Sequence, residues 1–173
     1  MDKDTFEGLE SKTWWSYLGE DIQKLLSTSE FLYSVVEGWG VDLPGGKEKF
    51  DDYSFIVFPA AKAYEGFLKK LFLNLGFITE EDYFGKHFRI GKSLNPSLPR
   101  KYKSESVYER IVKYCGGKEL ADKLWEAWRL CRNLTFHWFP NEKNALSLPE
   151  AKNRINMIIN AMDEAFIGCK IKV

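Results

Sequence analysis

The fold is decided by residues 120–134, which read LADKLWEAWRLCRNL. On a helical wheel of about 100° per residue, this stretch divides into one broad apolar arc and one polar arc. The apolar arc contains Leu120, Ala121, Leu124, Trp125, Ala127, Trp128, Cys131 and Leu134. The polar arc contains Glu119, Asp122, Glu126, Arg129 and Asn133. The pattern predicts an amphipathic helix from about residue 118 to 134, with one face against a core.

Apolar residues at the same spacing predict further helices on both sides of this stretch. Long helices are expected over 14–39, with a candidate break at 27–29, over 52–75, and from Pro149 to about residue 167. Shorter helices are expected after Thr79 and over 104–114, and loops over 41–49 and 85–103. The expected fold class is therefore all-α: an antiparallel helical bundle of four main helices plus short extra helices.

Length and composition limit the class of protein. The chain has 173 residues, which fits a single helical domain over 1–173. Apolar residues make up 45%, so the chain has enough of them for a core and is not intrinsically disordered. Its 25 basic and 25 acidic residues give zero net charge, so any nucleic-acid binding requires a local basic patch.

The cysteines and histidines indicate a cytoplasmic protein without cofactor or metal. Cys115, Cys131 and Cys169 form no CxxC pair and are odd in number, which is typical of a reduced intracellular protein. With only two His, a metal site is not expected. The acidic start is unlike a signal peptide, and no apolar run is long enough to span a membrane, so no membrane partner is expected.

Arg132 and His137 are the candidate catalytic residues. Arg132 falls inside the apolar arc, and its permanent charge requires an acceptor from a carboxylate, a partner subunit or a phosphate. His137 lies about 140° away on a continuous helix, so the two face one point only if the helix ends first. Pro140 is consistent with such an ending. The structural alternative is that Arg132 caps helix carbonyls while His137 packs against its aromatic neighbours.

Three segments resemble HEPN domains. Residues 132–137, RNLTFH, resemble the R-x4-6-H signature of that superfamily, including the polar Asn133 after the arginine. Residues 63–71, AYEGFLKKL, and 90–94, IGKSL, are similar to segments of the HEPN-like C-terminal domain of RNase LS-type toxins. The resemblance covers about 50–168 as a HEPN-like core, preceded by an N-terminal helical segment over about 12–40.

The resemblance implies a metal-independent endoribonuclease. RNA supplies its own nucleophile, the 2′-OH, so His137 is expected to act as general acid and base and Arg132 to stabilise the phosphoryl charge. The products would be a 2′,3′-cyclic phosphate, or a 3′-phosphate, and a 5′-OH. The family likeness also implies a homodimer with a shared cleft, and a toxin or defence role. An antitoxin protein and a nucleotidyltransferase are further candidate partners.

The remaining candidate residues each have a structural alternative. Glu65 either orients Arg132 or His137, as the matched glutamate of the toxins would, or forms a surface pair with Lys69. A basic loop without acids is a candidate RNA-binding segment, unless it is simply a solvated surface. Its residues are Lys86, Arg89, Lys92, Arg100, Lys101 and Lys103. Asn133 and Arg129 are candidate RNA contacts beside Arg132, although Arg129 alternatively faces solvent.

Two other functions are compatible with the same residues. The first is a non-catalytic HEPN module that binds a partner protein, a nucleotide or a nucleic acid. The second is an unrelated helical interaction domain in which Arg132 is a structural cap.

Overall fold

The regular structure of the described chain is helical throughout. The computed structural model describes residues 6, 8–40, 50–138, 140 and 144–171, and it contains no strand within them. The chain is therefore all-α over these residues, as predicted. The loop predicted at 41–49 lies outside them. None of the described helices is both long enough and apolar enough to cross a membrane.

Seven α-helices follow one another within the described residues. They are α1 (Glu20–Gly40), α2 (Ser54–Asn74), α3 (Glu80–Phe84), α4 (Ile90–Ser93), α5 (Val107–Tyr114), α6 (Gly117–Trp128) and α7 (Leu148–Gly168). Short 3-10 helices occur at Leu9–Ser11 and Arg100–Glu105. A π-helical turn, Arg129–Leu134, directly continues α6. The long helices α2 and α7 match the predicted bounds closely.

Contacts between the long helices give their relative directions. Ile22 near the start of α1 lies against Gly66, late in α2, whereas Ser29 further along α1 donates a hydrogen bond to the carbonyl of Ile56. α1 and α2 are therefore antiparallel. α6 runs antiparallel to α2, because Tyr64 contacts Leu124 while the earlier Phe58 contacts the later Phe136. α7 runs antiparallel to α6, because Gly168 lies against Leu120 while the earlier Glu164 pairs with the later Lys123. Consecutive long helices thus alternate in direction, as in an up-and-down bundle.

One hydrophobic core joins the N-terminal segment to the rest of the chain. Trp14 is fully buried, and its indole N–H donates to Asp163 of α7 at 2.6 Å. Tyr17 packs edge-on against Phe67 of α2 and Phe166 of α7. Burial of these large side chains is the main stabilising contribution available to a domain of this size.

The helix starts follow the capping signals in the sequence. Thr79 caps α3 and Ser147 caps α7, each through a reciprocal pair of hydrogen bonds with an acidic residue three positions later, Asp82 and Glu150 respectively. Ser106 caps α5 by accepting from the backbone N–H of Glu109. Such caps satisfy backbone donors that have no partner inside the helix.

Two helix predictions need correction. α1 begins at Glu20 rather than near residue 14, and it continues without a break through 27–29. Two of the three hydroxyl groups that suggested a break bond to backbone carbonyls: exposed Thr28 donates to the carbonyl of Lys24, and buried Ser29 donates to that of Ile56. Residues 85–103 are not wholly extended, because α4 and part of a 3-10 helix lie within them.

The prediction that all three cysteines are reduced is wrong for two of them. Cys115 at the end of α5 and Cys169 at the end of α7 form a disulfide, with Cα atoms 4.3 Å apart. The sequence hides this pairing because 54 positions separate the two residues. The third cysteine, Cys131, is free and buried.

Candidate functional site

The π-helical turn at Arg129–Leu134 positions Arg132. Apolar-arc residues of α6 such as Leu120 and Leu124 are buried as expected, and so is Cys131 within the turn. A π turn contains more residues than an α turn, so it rotates the side chains that follow relative to a continuous α-helix. Arg132 accordingly lies half-exposed, with 35% of its side chain accessible, although the α-helical wheel placed it within the apolar arc. Such turns are frequent at functional sites.

Arg132 is held by Glu65 across the interface with α2. Its Nε lies 3.4 Å from Oε2 of Glu65, and its guanidinium carbon lies 5.9 Å from the centre of the Phe136 ring. Glu65 therefore contacts Arg132, and its role in orienting the guanidinium stays a prediction. The alternative partner, Lys69, instead donates to the backbone carbonyl of Tyr83 at 3.2 Å.

A buried tyrosine fixes this part of α2 against α6. Tyr64 is fully buried, and its hydroxyl donates to the carbonyl of Leu124 at 3.0 Å. Burial raises the pKa of Tyr64 well above its ordinary value, so the hydroxyl keeps its proton and remains a donor. Since Glu65 is the next residue of α2, this hydrogen bond also limits the movement of the Glu65 backbone.

Arg132 lines a polar pocket of about 410 Å³ between α2, α4 and the end of α6. The charged residues around it are Glu65, Arg89, Lys92 and Arg132. The other lining residues are Phe88, Ile90, Gly91, Asn95, Trp125, Trp128 and Asn133. Three basic groups and one carboxylate give the pocket an excess of positive charge, which favours an anionic ligand such as a phosphate.

His137 lies in a different pocket of the same chain. The helix ends before it, as predicted, and its exposed side chain lines a pocket of about 500 Å³ together with Asp52, Ser54 and Trp138. Asn144 donates to the backbone carbonyl of His137 at 3.1 Å. Within one chain, therefore, the structure brings Arg132 and Glu65 together, whereas His137 lines a different pocket. Phe136, which lines the His137 pocket, is also the ring next to the Arg132 guanidinium.

Arg129 is engaged by a neighbouring carboxylate. Its Nε and Nη2 donate to the two carboxylate oxygens of Glu126 at 3.0 and 2.7 Å. Hydrogen bonding to Glu126 raises the pKa of Arg129, although arginine is charged at neutral pH in any case. Arg129 is thus already paired, and it does not line the pocket of Arg132.

The predicted RNA-binding loop is only partly free of acidic partners. Lys92 pairs with Glu105 at 2.7 Å and Lys103 with Glu109 at 3.3 Å, both acids lying just beyond the loop. The remaining members Lys86, Arg89, Arg100 and Lys101 are exposed and form no ion pair with any described residue. Two residues of this loop, Arg89 and Lys92, line the same pocket as Arg132 and add to its positive charge.

Sequence reasoning missed the two tryptophans of the pocket. Trp125 and Trp128 were interpreted as core, yet both are only half-buried, and their rings stack with centroids 5.8 Å apart and planes 14° apart. The available signal was that Trp125 lies at the edge of the apolar arc, and that Arg132 falls between the two tryptophans on the wheel. Among the described residues, no cluster of three or more His, Cys, Asp or Glu side chains suits a metal ion.

Comparison with known proteins gives no match: no family model, curated protein or solved structure is significantly similar to this chain. Functional inference therefore rests on the residues and geometry described above.

Proposed function

We propose that this protein is a metal-independent endoribonuclease of the HEPN type that acts as a homodimer. The 2′-oxygen of a ribose would form a bond to the adjacent phosphorus while the bond from phosphorus to the 5′-oxygen breaks. The 2′-OH loses its proton and the 5′-oxygen gains one, which leaves a 2′,3′-cyclic phosphate and a 5′-OH. In this proposal His137 transfers the proton and Arg132 stabilises the charge on the phosphoryl oxygens.

The observation that carries the proposal is the way Arg132 is held. Glu65 approaches the guanidinium at Nε, and no described residue forms a hydrogen bond with its two terminal nitrogens. A guanidinium oriented by a carboxylate on one side can use its terminal N–H groups to bind phosphoryl oxygens. The surrounding excess of positive charge, from Arg89 and Lys92, also supports a phosphate ligand.

Arg132 and His137 line different pockets of one chain, which supports a site shared between two protomers. Large aromatic side chains are exposed near His137, where Trp138 is 84% and Phe58 48% accessible. Phe58 contacts Phe136, which lines the His137 pocket. Exposed aromatic residues of this kind are typical of protein–protein interfaces. In the proposed dimer, this surface is covered by a second copy whose Arg132 approaches His137.

The family-specific parts of the hypothesis follow from the same proposal. The bundle of long helices would correspond to the HEPN core over about 50–168. Cleavage of cellular or foreign RNA would make the protein a toxin or defence component of the cytoplasm, with an antitoxin protein or nucleotidyltransferase as partner. Disulfides are rare in that compartment. A Cys115–Cys169 bond that persists in the cell would therefore oppose the cytoplasmic part of the proposal.

A non-catalytic module is the second candidate. It is favoured by one observation, which is that Arg132 and His137 line separate pockets of a single chain. In that case the basic pocket would bind RNA or a nucleotide without turnover.

RNA cleavage in excess EDTA tests the proposal. We expect the wild type to cleave a labelled RNA and leave cyclic-phosphate ends, whereas Arg132→Ala and His137→Ala lose activity by at least about 100-fold. Lys24→Ala is the control, because Lys24 is exposed on α1 and lines neither the Arg132 nor the His137 pocket. Light scattering would check that all variants keep the same assembly. Cleavage that survives in both site variants, or absence of cleavage by the wild type, would contradict the proposal.

A further inference from the structure

The wall of the Arg132 pocket formed by α6 is aromatic. Trp125 and Trp128 stack on each other, and both remain half-buried although they lie on a helix that faces the core. The indole N–H of Trp128 is buried and has no acceptor among the described residues. A half-exposed indole in a polar pocket offers a flat surface on which a nucleobase can stack.

The adjoining wall is formed by α4, whose close approach to Trp128 requires a glycine. A Cβ built on Gly91 would lie 2.6 Å from Cζ3 of Trp128 and closer still to Cη2. Real Cβ atoms do not come so near to a ring carbon, so only glycine allows the α4 backbone to lie directly against this indole. The close contact fixes α4, and with it the two basic residues Arg89 and Lys92, at a defined distance from the tryptophans.

The basic residues surround the space next to the indoles. Arg89, Lys92 and Arg132 all line the pocket, and Glu65 is the single acid among its lining residues. Lys92 already pairs with Glu105, and Nη1 of Arg89 donates to the backbone carbonyl of Lys86 at 3.1 Å. Neither contact uses all the donors of these groups, so both can also bind a phosphate oxygen.

We propose that this pocket binds one unpaired nucleotide of the RNA substrate. Its phosphate lies between Arg89, Lys92 and Arg132, and its base stacks on the pair Trp125 and Trp128. A paired base cannot enter, because stacking on the indole requires its face to be free. The pocket therefore selects single-stranded RNA. This inference rests on the proposed function for the nature of the ligand, but it concerns binding and does not require turnover.

Binding to the cleavage-deficient His137→Ala protein tests the inference. The probe is a fluorescein-labelled single-stranded RNA of mixed sequence, compared with the same strand in a duplex long enough to stay annealed at the assay temperature, with affinity measured by fluorescence anisotropy at fixed salt. We expect the single strand to bind at least about 10-fold more tightly than the duplex. Trp125→Ala should weaken single-strand binding by about 10-fold, which is the size of effect of losing one stacked base. Arg89→Ala should weaken it by about the same factor, because it removes a charged contact to the phosphate.

Control variants separate the pocket from general charge effects. Lys24→Ala removes one positive charge from an exposed site on α1, and Tyr114→Ala removes an exposed aromatic ring on α5. Both should bind the single strand as the parent does, and circular dichroism would check the fold of every variant. Equal affinity for duplex and single strand, parent-like binding by Arg89→Ala and Trp125→Ala, or no binding at all would overturn the inference.

The result is distinguishable from failure of the proposed function. Pocket-dependent binding by a wild type that cleaves no RNA would retain the nucleotide site and reject the nuclease. Cleavage that depends on His137, together with binding that is insensitive to Arg89 and Trp125, would retain the nuclease and reject the nucleotide site.

Discussion

Arg132 and Glu65 are 67 positions apart in the sequence, and they meet at 3.4 Å where the π-helical turn packs on α2. Both side chains are more than one-third exposed, so the pair itself contributes at most about 1 kcal/mol to stability. Its main consequence is orientation, because a planar guanidinium held at Nε presents its terminal nitrogens in one direction.

Replacement of this carboxylate should affect cleavage more than stability. Glu65→Gln keeps the shape of the side chain but removes the charge, and we expect RNA cleavage to fall by about 10-fold while the free energy of unfolding changes by less than about 1 kcal/mol. The matched control is Glu126→Gln, which removes the carboxylate partner of Arg129. Equal loss of activity in the two variants would show that Glu65 has no special role.

Alanine substitutions at two glycines, one on α4 and one on α1, should change the free energy of unfolding in opposite directions. Gly91→Ala places a methyl group against the ring of Trp128, and such overpacking should lower the free energy of unfolding by about 1–3 kcal/mol. Gly38→Ala adds a methyl group in helix α1 with no atom within 4 Å, so it should raise stability by up to about 1 kcal/mol. Urea denaturation of both variants measures the difference. Comparable stabilisation by both would contradict the observed contact.

The cysteine arrangement predicts the thiol count. With Cys115 and Cys169 joined and Cys131 buried, no thiol of the native protein should react rapidly with Ellman's reagent. Burial raises the pKa of Cys131 to about 12, so its reactive thiolate is scarce at neutral pH. Denaturation should expose one thiol without reductant and three after reduction. Loss of the cross-link should lower the free energy of unfolding by up to about 4 kcal/mol, given the length of the loop it closes. Three thiols in the unreduced, denatured protein would contradict the disulfide.

The hydrogen bonds that cap α7 should make the free energy of unfolding depend on pH. The backbone N–H and hydroxyl of Ser147 donate to Glu150 and lower the pKa of its carboxyl below the ordinary value of 4.5. A lowered pKa means that the charged carboxylate stabilises the folded state above pH 4.5, and this contribution is lost as the pH falls through the lowered value. Glu150→Gln should therefore be less stable than the wild type at pH 7, by less than about 1 kcal/mol, and equally stable near pH 2. Thermal melts at the two pH values measure this, and a difference that does not change with pH would contradict it.

Local patterns predicted much of the helical framework. The capped starts at Thr79 and Ser147 and the apolar arc of α6 depend on neighbouring residues, which the sequence displays directly. The start of α1 was missed because Trp14 and Trp15 have helical spacing, although Trp14 is buried in a turn through its contact with Asp163. That contact is between residues far apart in sequence, so no local pattern reveals it.

For the candidate site, the sequence predicted that Arg132 needs an acceptor, but not the geometry of the contact. Arg132 required an acceptor because its charge lay within an apolar arc, and Glu65 supplies one. The π-helical turn was not foreseen, because an extra residue in one helical turn leaves no periodic signal. The pairing of Cys115 with Cys169 and the contact between Gly91 and Trp128 likewise depend on how distant helices pack.

The most direct test of the central claim is complementation between two inactive variants. Arg132→Ala and His137→Ala proteins would be unfolded together, refolded as a mixture to exchange protomers, and assayed for RNA cleavage in EDTA. If each site takes Arg132 from one protomer and His137 from the other, mixed dimers contain one intact site. The mixture should then recover roughly a quarter of the wild-type activity, since half of the randomly formed dimers are mixed and each retains one of two sites. A mixture as inactive as either variant alone, beside a wild type that cleaves after the same treatment, would contradict the shared site.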